Sequence, residues 1–318
     1  MDLSLFFAGT AGSVPTARRG LPALLLRAGG ERILVDCGEG TQQQLLRSIG
    51  LPDVGAIFIT HFHLDHWLGL LGIIKTFDLR GRERPLGIYG PPGLRSLLGA
   101  MRPVIGRTGY PLDMVELEPY EELRFGTFLI SPFPVHHRIE AFGYAFVEDD
   151  RPGRFDVEAA RSLGIVDGPD FGRLQRGEIV NGVRPEQVMG ETRAGRRIVI
   201  SGDTAPCQAV EVLAHDADLL VHEATFMDDE RARARDTAHS TARQAGEIAR
   251  DAGVRLLALT HLSTRYFPRD VREEARSVFP NTVVPRDFDA IDVPFPERGE
   301  PTVVKPEREP EPEPAAAP

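Results

Sequence analysis

Short apolar runs alternate with amphipathic segments along most of the chain, which is the pattern of an α/β protein. Near the N terminus, runs rich in Leu, Ile, Val and Phe predict strands at 3–9, 22–28 and 32–38. A helical pattern follows at 41–50 and ends at Gly50, which can adopt the left-handed conformation that closes a helix. A second helix is predicted at 241–253, with Ser240 or Thr241 as its N-cap.

Four other apolar runs end in residues that can bind a metal or move a proton. They occupy 56–61, 196–204, 218–226 and 255–263, and they end in His, in Asp, in a His-Glu pair and in His. Each is typical of a buried strand that delivers polar side chains at its C-terminal edge. We therefore expect these four strand ends to converge on one site.

Two segments depart from the alternating pattern. Residues 148–190 are rich in Gly, Pro, Asp and Arg and are predicted to form an inserted arm or lid. From Glu297 the chain becomes rich in Pro and Glu, so 297–318 are predicted to be a disordered tail. Residues 1–296 are expected to form the main domain, which carries the arm as an insertion.

Composition narrows the class of protein. A hydrophobic content of 42% with 26% charged residues is ordinary for a soluble globular chain. No run approaches the roughly eighteen apolar residues of a membrane span, and the N terminus has an acid where a signal peptide carries basic residues. A cytoplasmic protein without a membrane partner is the expectation. The net charge of −10 argues against a general nucleic-acid coating protein, and no DNA partner is expected, but an RNA enzyme is not excluded.

The strongest local signal is an HxHxDH run directly after a predicted strand, formed by His61, His63, Asp65 and His66. The alternating histidines can reach one cation, while Asp65 and His66 point to a second position nearby. Imidazole and carboxylate ligands without a thiolate suit Zn²⁺, with Mn²⁺ or Co²⁺ possible. A surface patch of histidines is the alternative, which the position at a strand end disfavours.

Further ligand candidates each have an ordinary structural alternative. Asp203 could cap the following helix, and His261 could be a buried histidine bound to backbone. His136 and His137 are adjacent, so in an extended segment their side chains face opposite ways and at most one should bind a metal.

HxHxDH, a later single His, SGDT and a final ALTH follow one another in an order that resembles the metallo-β-lactamase fold superfamily. Further motifs narrow the resemblance to ribonuclease Z, the tRNA 3′-processing endonucleases. These motifs are VDCGEGTQQQL (35–45), HHRIEAFGYAFVEDDRPG (136–153), GPDFGRLQRGE (168–178), HEATF (222–226), HST (239–241) and THLSTRY (260–266). The resemblance extends from FAGTAGSVP at 7–15 to about Phe288. It implies a four-layer αβ/βα sandwich, with two central mixed sheets and helices outside.

The resemblance also implies a ligand set for two zinc ions per subunit. In the family, the single histidine that follows the HxHxDH motif stands three residues before the Glu of an ExFGY segment. This spacing selects His137 over His136. One ion would be held by His61, His63 and His137 and the other by Asp65, His66 and His261, with Asp203 bridging both. Three protein ligands and a shared carboxylate per ion leave a place for water, as a catalytic site requires.

The activity implied is removal of the 3′ trailer from precursor tRNA, leaving a 3′-hydroxyl on the tRNA and a 5′-phosphate on the trailer. Asp65 would orient the nucleophile and accept its proton, and His239 would be the general acid. Glu223 would orient His239. The alternatives are that His239 only caps or packs and that Glu223 is a surface acid.

Substrate recognition is assigned to two segments. The arm matches the family's exosite, which grips the tRNA elbow, and Gly168, Pro169, Arg173 and Arg176 are its candidate contacts. A solvated charged loop is the alternative. Arg19 lies in PTARRG (15–20), where many relatives carry PxKxRN. Alanine and glycine replace the Lys and Asn of that motif, so cleavage before or after an encoded CCA stays open.

The family acts as dimers in which the arm of one subunit serves the site of the other, so a homodimer is expected. Two other functions remain open. One is a different hydrolase of the same fold: a small-molecule phosphodiesterase, an arylsulfatase-like enzyme or a lactonase. The other is a non-catalytic, metal-bound RNA-binding or scaffold protein.

Overall fold

A computed structural model of the chain describes residues 2–306. The chain divides into two compact units. The first comprises the chain up to Phe146 and from Arg197 onward, and the second is Val147–Arg196. The first unit contains two β-sheets and most of the helices.

The first sheet has eight strands within the described residues, in the order β15-β14-β1-β2-β3-β4-β5-β6. Its strands are β1 (Leu3–Gly9), β2 (Ala23–Ala28), β3 (Glu31–Val35), β4 (Ala56–Phe58), β5 (Leu86–Gly90), β6 (Leu112–Glu116), β14 (Ala290–Asp292) and β15 (Thr302–Val304). The sheet is mixed, because β3 to β6 pair in parallel and the other neighbours pair antiparallel.

Among residues 2–306, the second sheet has seven strands, in the order β13-β12-β11-β10-β9-β8-β7. They are β7 (Leu123–Phe125), β8 (Phe128–Pro134), β9 (Phe142–Glu148), β10 (Arg197–Ile200), β11 (Leu219–Glu223), β12 (Leu257–Thr260) and β13 (Thr282–Val283). Strands β10 to β13 pair in parallel, whereas β7 and β8 pair antiparallel, so this sheet is also mixed.

Helices cover the outer faces of both sheets. The helices of the first unit are α1 (Thr41–Ser48), α2 (Leu64–Trp67), α3 (Leu70–Leu79), α4 (Leu94–Ile105), α7 (Gln208–Leu213), α8 (Arg231–Thr237), α9 (Ala242–Ala252) and α10 (Pro268–Arg276). Among the described residues, no helix is both long and apolar enough to cross a bilayer.

Three apolar clusters define the layers of the first unit. The central cluster joins the facing sides of the two sheets and includes Phe7, Phe58 and Tyr144. A second packs the first sheet against α1, α3 and α4, and a third packs the second sheet against α7, α9 and α10. The layers therefore run helix, sheet, sheet, helix, which confirms the predicted four-layer sandwich.

The local signals for the helix at 241–253 correspond to α9. Thr241 is its N-cap, and its hydroxyl accepts a hydrogen bond from the amide of Gln244 while the Gln244 side chain accepts one from the amide of Thr241. Gly253 closes the helix with φ of 67°. By contrast, α7 begins at Gln208 after Cys207. Asp203 is therefore not its N-cap.

The second unit has a small core of its own. It contains α5 (Val157–Ser162) and α6 (Pro169–Gln175). Its buried apolar side chains are Ala160, Ile165, Leu174, Val180, Val183 and Val188. The backbones of Arg151 and Arg193 pair antiparallel at its base, with N to O distances of 2.7 and 2.8 Å. The predicted arm, 148–190, lies within this unit.

The sequence predicts a disordered tail from Glu297, but the structure has an ordered strand within this segment. Residues Thr302–Val304 form β15 and pair with Ala290–Asp292 of β14. The β-branched TVV run supplies strand propensity that the surrounding Pro and Glu conceal in the composition. The rest of the predicted tail, from residue 307, lies outside the described residues.

Candidate metal centre

The strand ends bring seven predicted ligands together with His239 and Glu223. Their ligand atoms form overlapping sets in which all atoms lie within 4.8 Å of one another. The sets are His61, His63 and His137; His61, His66 and Asp203; Asp65, His66 and His261; His137, Asp203 and His239; and Glu223, His239 and His261. His61 follows β4 of the first sheet, whereas Asp203 and His261 follow β10 and β12 of the second. The cluster thus forms where parallel strands of both sheets end.

His61, His63 and His137 direct one ring nitrogen each to a common point. His63 Nδ1 lies 3.0 Å from His61 Nε2 and 3.1 Å from His137 Nε2. His136 takes no part in these sets, and its backbone amide instead donates to Thr204 Oγ1. Among the described residues, His137 therefore belongs to the cluster and the adjacent His136 does not.

Asp65, His66 and His261 form a second group beside the first. Oδ2 of Asp65 lies 3.4 Å from His261 Nε2 and 3.6 Å from His66 Nε2. Asp203 contacts both groups, because its Oδ2 lies 3.2 Å from His261 Nε2, 3.3 Å from His66 Nε2 and 3.8 Å from His61 Nε2. This position suits a carboxylate shared by two ions.

Four of the rings are fixed from behind by a protein oxygen on the other ring nitrogen. These contacts are His66 Nδ1 to Asp36 Oδ2 at 2.7 Å, His261 Nδ1 to Thr225 Oγ1 at 2.8 Å, His61 Nδ1 to Thr60 Oγ1 at 3.0 Å and His137 Nδ1 to the Ala238 carbonyl at 3.0 Å. Such contacts set the orientation of a histidine ligand and leave the inward nitrogen available for a metal.

The donor atoms fit a divalent metal ion. His66 Nε2 and Asp203 Oδ1 are buried and have no hydrogen-bond partner among the described residues. An unpaired buried polar atom is costly, and coordination of a cation would satisfy both. Nitrogen and carboxylate oxygen without a thiolate are ligands that suit Zn²⁺ and its neighbours.

Charge in the cluster also favours a cation. Burial alone would raise the pKa of Asp203, but His261 and His66 hold it well below its usual value. Burial, assisted by His66, lowers the pKa of His61 far below its usual value. Burial would likewise lower the pKa of His66, but Asp203 and Asp36 raise it well above, so a proton on His66 competes with a cation.

Glu223 and His239 form a pair at the edge of the cluster. Glu223 Oε1 lies 2.7 Å from His239 Nδ1, and Nε2 of His239 has no hydrogen-bond partner within residues 2–306. Glu223 is 1% exposed and also accepts from the Thr225 hydroxyl, so it is not a surface acid. Burial lowers the pKa of His239, but Glu223 more than offsets this and raises it to about 9. His239 lies two residues before Thr241, outside α9 itself.

The loop after β1 closes one side of the cluster. The amide of Ser13 donates to Asp65 Oδ2 at 2.9 Å. Gly12 packs so closely on His261 that an added Cβ would lie 2.5 Å from Nδ1 of that ring. His261 itself has φ of 55°, a left-handed conformation that is unfavourable for a non-glycine residue. Gly12 is therefore required for the ring to occupy its position.

The predicted substrate residues are occupied by contacts within the protein. Arg19 Nη1 donates to Thr10 Oγ1 and to the Pro285 carbonyl. In the second unit, Arg173 pairs with Glu178 and Asp170, and Arg176 pairs with Glu178. Gly168 caps α6 with φ of 151°, and Pro169 is its first residue. These arginines would have to exchange partners in order to bind phosphate.

Sequence patterns assigned no role to two residues that support the cluster. Asp36 follows β3 and holds His66, and Thr225 contacts both Glu223 and His261. Asp36 has the signal that identified the other sites, an acid directly after an apolar strand. Thr225 carries no such signal, because a threonine after HEA is chemically ordinary.

Comparison with known proteins identifies the family of the chain. The family model of the metallo-beta-lactamase superfamily matches residues 20–261. Ribonuclease Z of Myxococcus xanthus is 46% identical over 93% of this chain and 99% of its own length, and that of Gemmatimonas aurantiaca is 48% identical over 92% and 96%. The crystal structure of the short form of human tRNase Z is 28% identical, with a TM-score of 0.68 over 92% of this chain and 99% of that one. The chain therefore belongs to the ribonuclease Z family of the metallo-beta-lactamase superfamily.

Proposed function

We propose that this protein is a metal-dependent endoribonuclease that removes the 3′ trailer from precursor tRNA. The products would be a tRNA with a 3′-hydroxyl and a trailer with a 5′-phosphate. The observation that carries the proposal is the shared position of Asp203 between two ligand groups, with the Glu223–His239 pair at their edge. The names of the homologues and of the human neighbour support RNA, and tRNA in particular, as the substrate.

The proposed cofactor is two zinc ions per subunit, with Mn²⁺ or Co²⁺ as possible substitutes. His61, His63 and His137 would hold one, and Asp65, His66 and His261 the other, with Asp203 shared. Bound there, the ions would supply positive charge to phosphate oxygens and ease the deprotonation of water at neutral pH.

Asp65 is the proposed acceptor of the proton from the attacking water. Burial would raise the pKa of Asp65, but its hydrogen bond with His261 and the neighbouring His66 lower it below its usual range. It is therefore a carboxylate at neutral pH. The Ser13 amide on Oδ2 orients the group, as positioning of a general base requires.

His239 is the proposed general acid for the departing 3′ oxygen. Glu223 occupies its Nδ1 and thereby fixes the tautomer, which leaves Nε2 to carry a proton towards the leaving group. Removing the carboxylate would free the ring to rotate. Glu223 is thus a positioning residue, and His239 acts on the substrate.

Residues of the second unit are proposed to bind the tRNA body. Arg173 and Arg176 would release Glu178 and pair with phosphates, and Gly168 with Pro169 would shape the contact. Arg19 is proposed to contribute to substrate binding indirectly, by positioning the loop at 15–20, since its guanidinium is already bound inside the protein. A homodimer and a cytoplasmic location complete the proposal.

The deciding experiment is cleavage of an end-labelled precursor tRNA, read at nucleotide resolution, with and without a chelator. Cleavage that requires metal and yields a 3′-hydroxyl supports the proposal, and precursors with and without CCA locate the cut. His137→Ala should lose metal and activity, whereas His136→Ala, the exposed neighbour outside the cluster, should retain both. Hydrolysis of bis(p-nitrophenyl) phosphate without cleavage of precursor tRNA would favour a small-molecule phosphodiesterase.

A further inference from the structure

A groove of about 700 Å³ lies in the first unit next to the metal-binding cluster. Leu262 and Ser263, which directly follow His261, line one end of it, and Thr16 of the loop after β1 lines another part. That loop is tied to Leu262 by backbone hydrogen bonds and to Asp65 through the Ser13 amide. A polymer whose reacting phosphate lies at the cluster would therefore reach the groove within a short distance.

The lining is strongly basic in an otherwise acidic chain. Among the described residues, the lining includes no acidic side chain, and its arginines are Arg18, Arg19, Arg269, Arg272 and Arg286. Arg18, Arg269 and Arg286 form no ion pair within the described residues, and Arg272 pairs only with its exposed neighbour Glu273. Concentrated positive charge in a cleft of a protein of net charge −10 attracts a polyanion to that cleft.

The groove also offers an aromatic ring to solvent. Phe267 is 77% exposed, although it lies at the start of α10 beside Arg269. Exposed aromatic rings next to basic side chains are the means by which proteins bind unpaired nucleic acid, because bases stack on the ring while phosphates contact the cations. Paired bases, already stacked on each other, present no face to Phe267.

We propose that this groove binds the unpaired RNA trailer on the 3′ side of the cleavage site, with Arg269 and Arg272 on its phosphates and Phe267 stacked on a base. The proposal rests on the proposed function. The size of the groove, within the range of pockets that hold a drug-sized ligand, corresponds to about two nucleotides.

The test compares precursor tRNAs that differ only in trailer length, one nucleotide against about ten, a length within known single-strand site sizes. The variants are Phe267→Ala and the double variant Arg269→Ala/Arg272→Ala. The matched control is Arg102→Ala/Arg107→Ala, two exposed arginines outside the groove. Both groove variants should raise KM for the long trailer about fivefold or more and leave KM for the one-nucleotide trailer and kcat unchanged.

Equal increases of KM for both substrates would assign the groove to the tRNA body and overturn the proposal, as would no change with either. Failure of the parent enzyme to cleave either precursor would instead contradict the proposed function. Binding of a fluorescent single-stranded RNA decamer, measured by anisotropy, tests the groove independently of cleavage. The double variant should lower the salt dependence of binding by about 0.7 in logarithmic slope for each lost phosphate contact. An unchanged slope and affinity would overturn the proposal.

Discussion

Asp36 Oδ2 lies 2.7 Å from Nδ1 of His66, thirty residues later in the chain, and so fixes the ring whose other nitrogen is buried without a hydrogen-bond partner among residues 2–306. The same carboxylate accepts from the amide and the hydroxyl of Thr60. Asp36 therefore joins the end of β3 to the segment that begins the HxHxDH motif.

Asp36→Asn should weaken metal binding by about 10- to 100-fold, because an amide is a poorer partner for the imidazole N–H than a carboxylate. Competition with a chelator of known affinity measures the effect. The control is Asp218→Asn, which removes a buried carboxylate paired with Arg255 away from the cluster. Equal metal affinity in parent and Asp36→Asn would contradict this role.

His239→Ala should reduce the single-turnover rate at saturating metal by about 10²- to 10⁴-fold. The metal content per chain should remain that of the parent, because the proposed ligand set does not include His239. A rate within about tenfold of the parent would exclude general-acid catalysis by this residue, and loss of metal would make it a ligand.

Glu223→Gln should slow the same step less than His239→Ala, because it acts through the histidine. The double variant should be no slower than His239→Ala alone, since residues that act as a unit are not additive. If the losses of the two single variants added up in the double variant, Glu223 would act independently of His239. The glutamine keeps a group of the same shape for the Thr204 amide and the Thr225 hydroxyl.

Gly12→Ala should displace His261, because the new Cβ would lie 2.5 Å from Nδ1 of His261 and 2.8 Å from its carbonyl oxygen. We expect a loss of about 1–3 kcal/mol in the free energy of unfolding, together with weaker metal binding. In Gly99→Ala, within α4, the added Cβ meets nothing within 4 Å. This control should instead gain about 0.5–1 kcal/mol in thermal or denaturant unfolding.

Replacing residues 152–192 with two glycines tests the second unit, since the paired backbones of Arg151 and Arg193 already form a hairpin base. The shortened chain should show a raised KM for precursor tRNA and unchanged hydrolysis of bis(p-nitrophenyl) phosphate. Joint loss of both activities would argue against a role of this segment in substrate binding.

Sequence patterns predicted the strands whose ends carry the cluster, because buried parallel strands are continuous apolar runs that stop at polar residues. They did not predict that His61 follows a strand of one sheet while Asp203 and His261 follow strands of the other, since pairing between distant segments leaves no periodic trace. Tyr144 shows the same limit. Its hydroxyl donates to the Ile59 carbonyl across the central core, a contact that only the packed sheets define.

Sequence patterns also did not predict that Arg19, Arg173 and Arg176 make contacts within the protein. A basic residue in a motif indicates phosphate binding, but its partners depend on side chains that the fold brings near. Phe267 gave no signal either, because one phenylalanine in a helix start is most often buried, and only its exposure distinguishes it.

His261 and Asp65 are neighbours in space although 196 positions separate them along the chain. During synthesis, the HxHxDH segment emerges long before His261, the last of the proposed ligands. The proposed ligand set can consequently be complete only after His261 has left the ribosome. Nascent chains should remain metal-poor, and the enzyme should acquire its ions as a late step in its maturation.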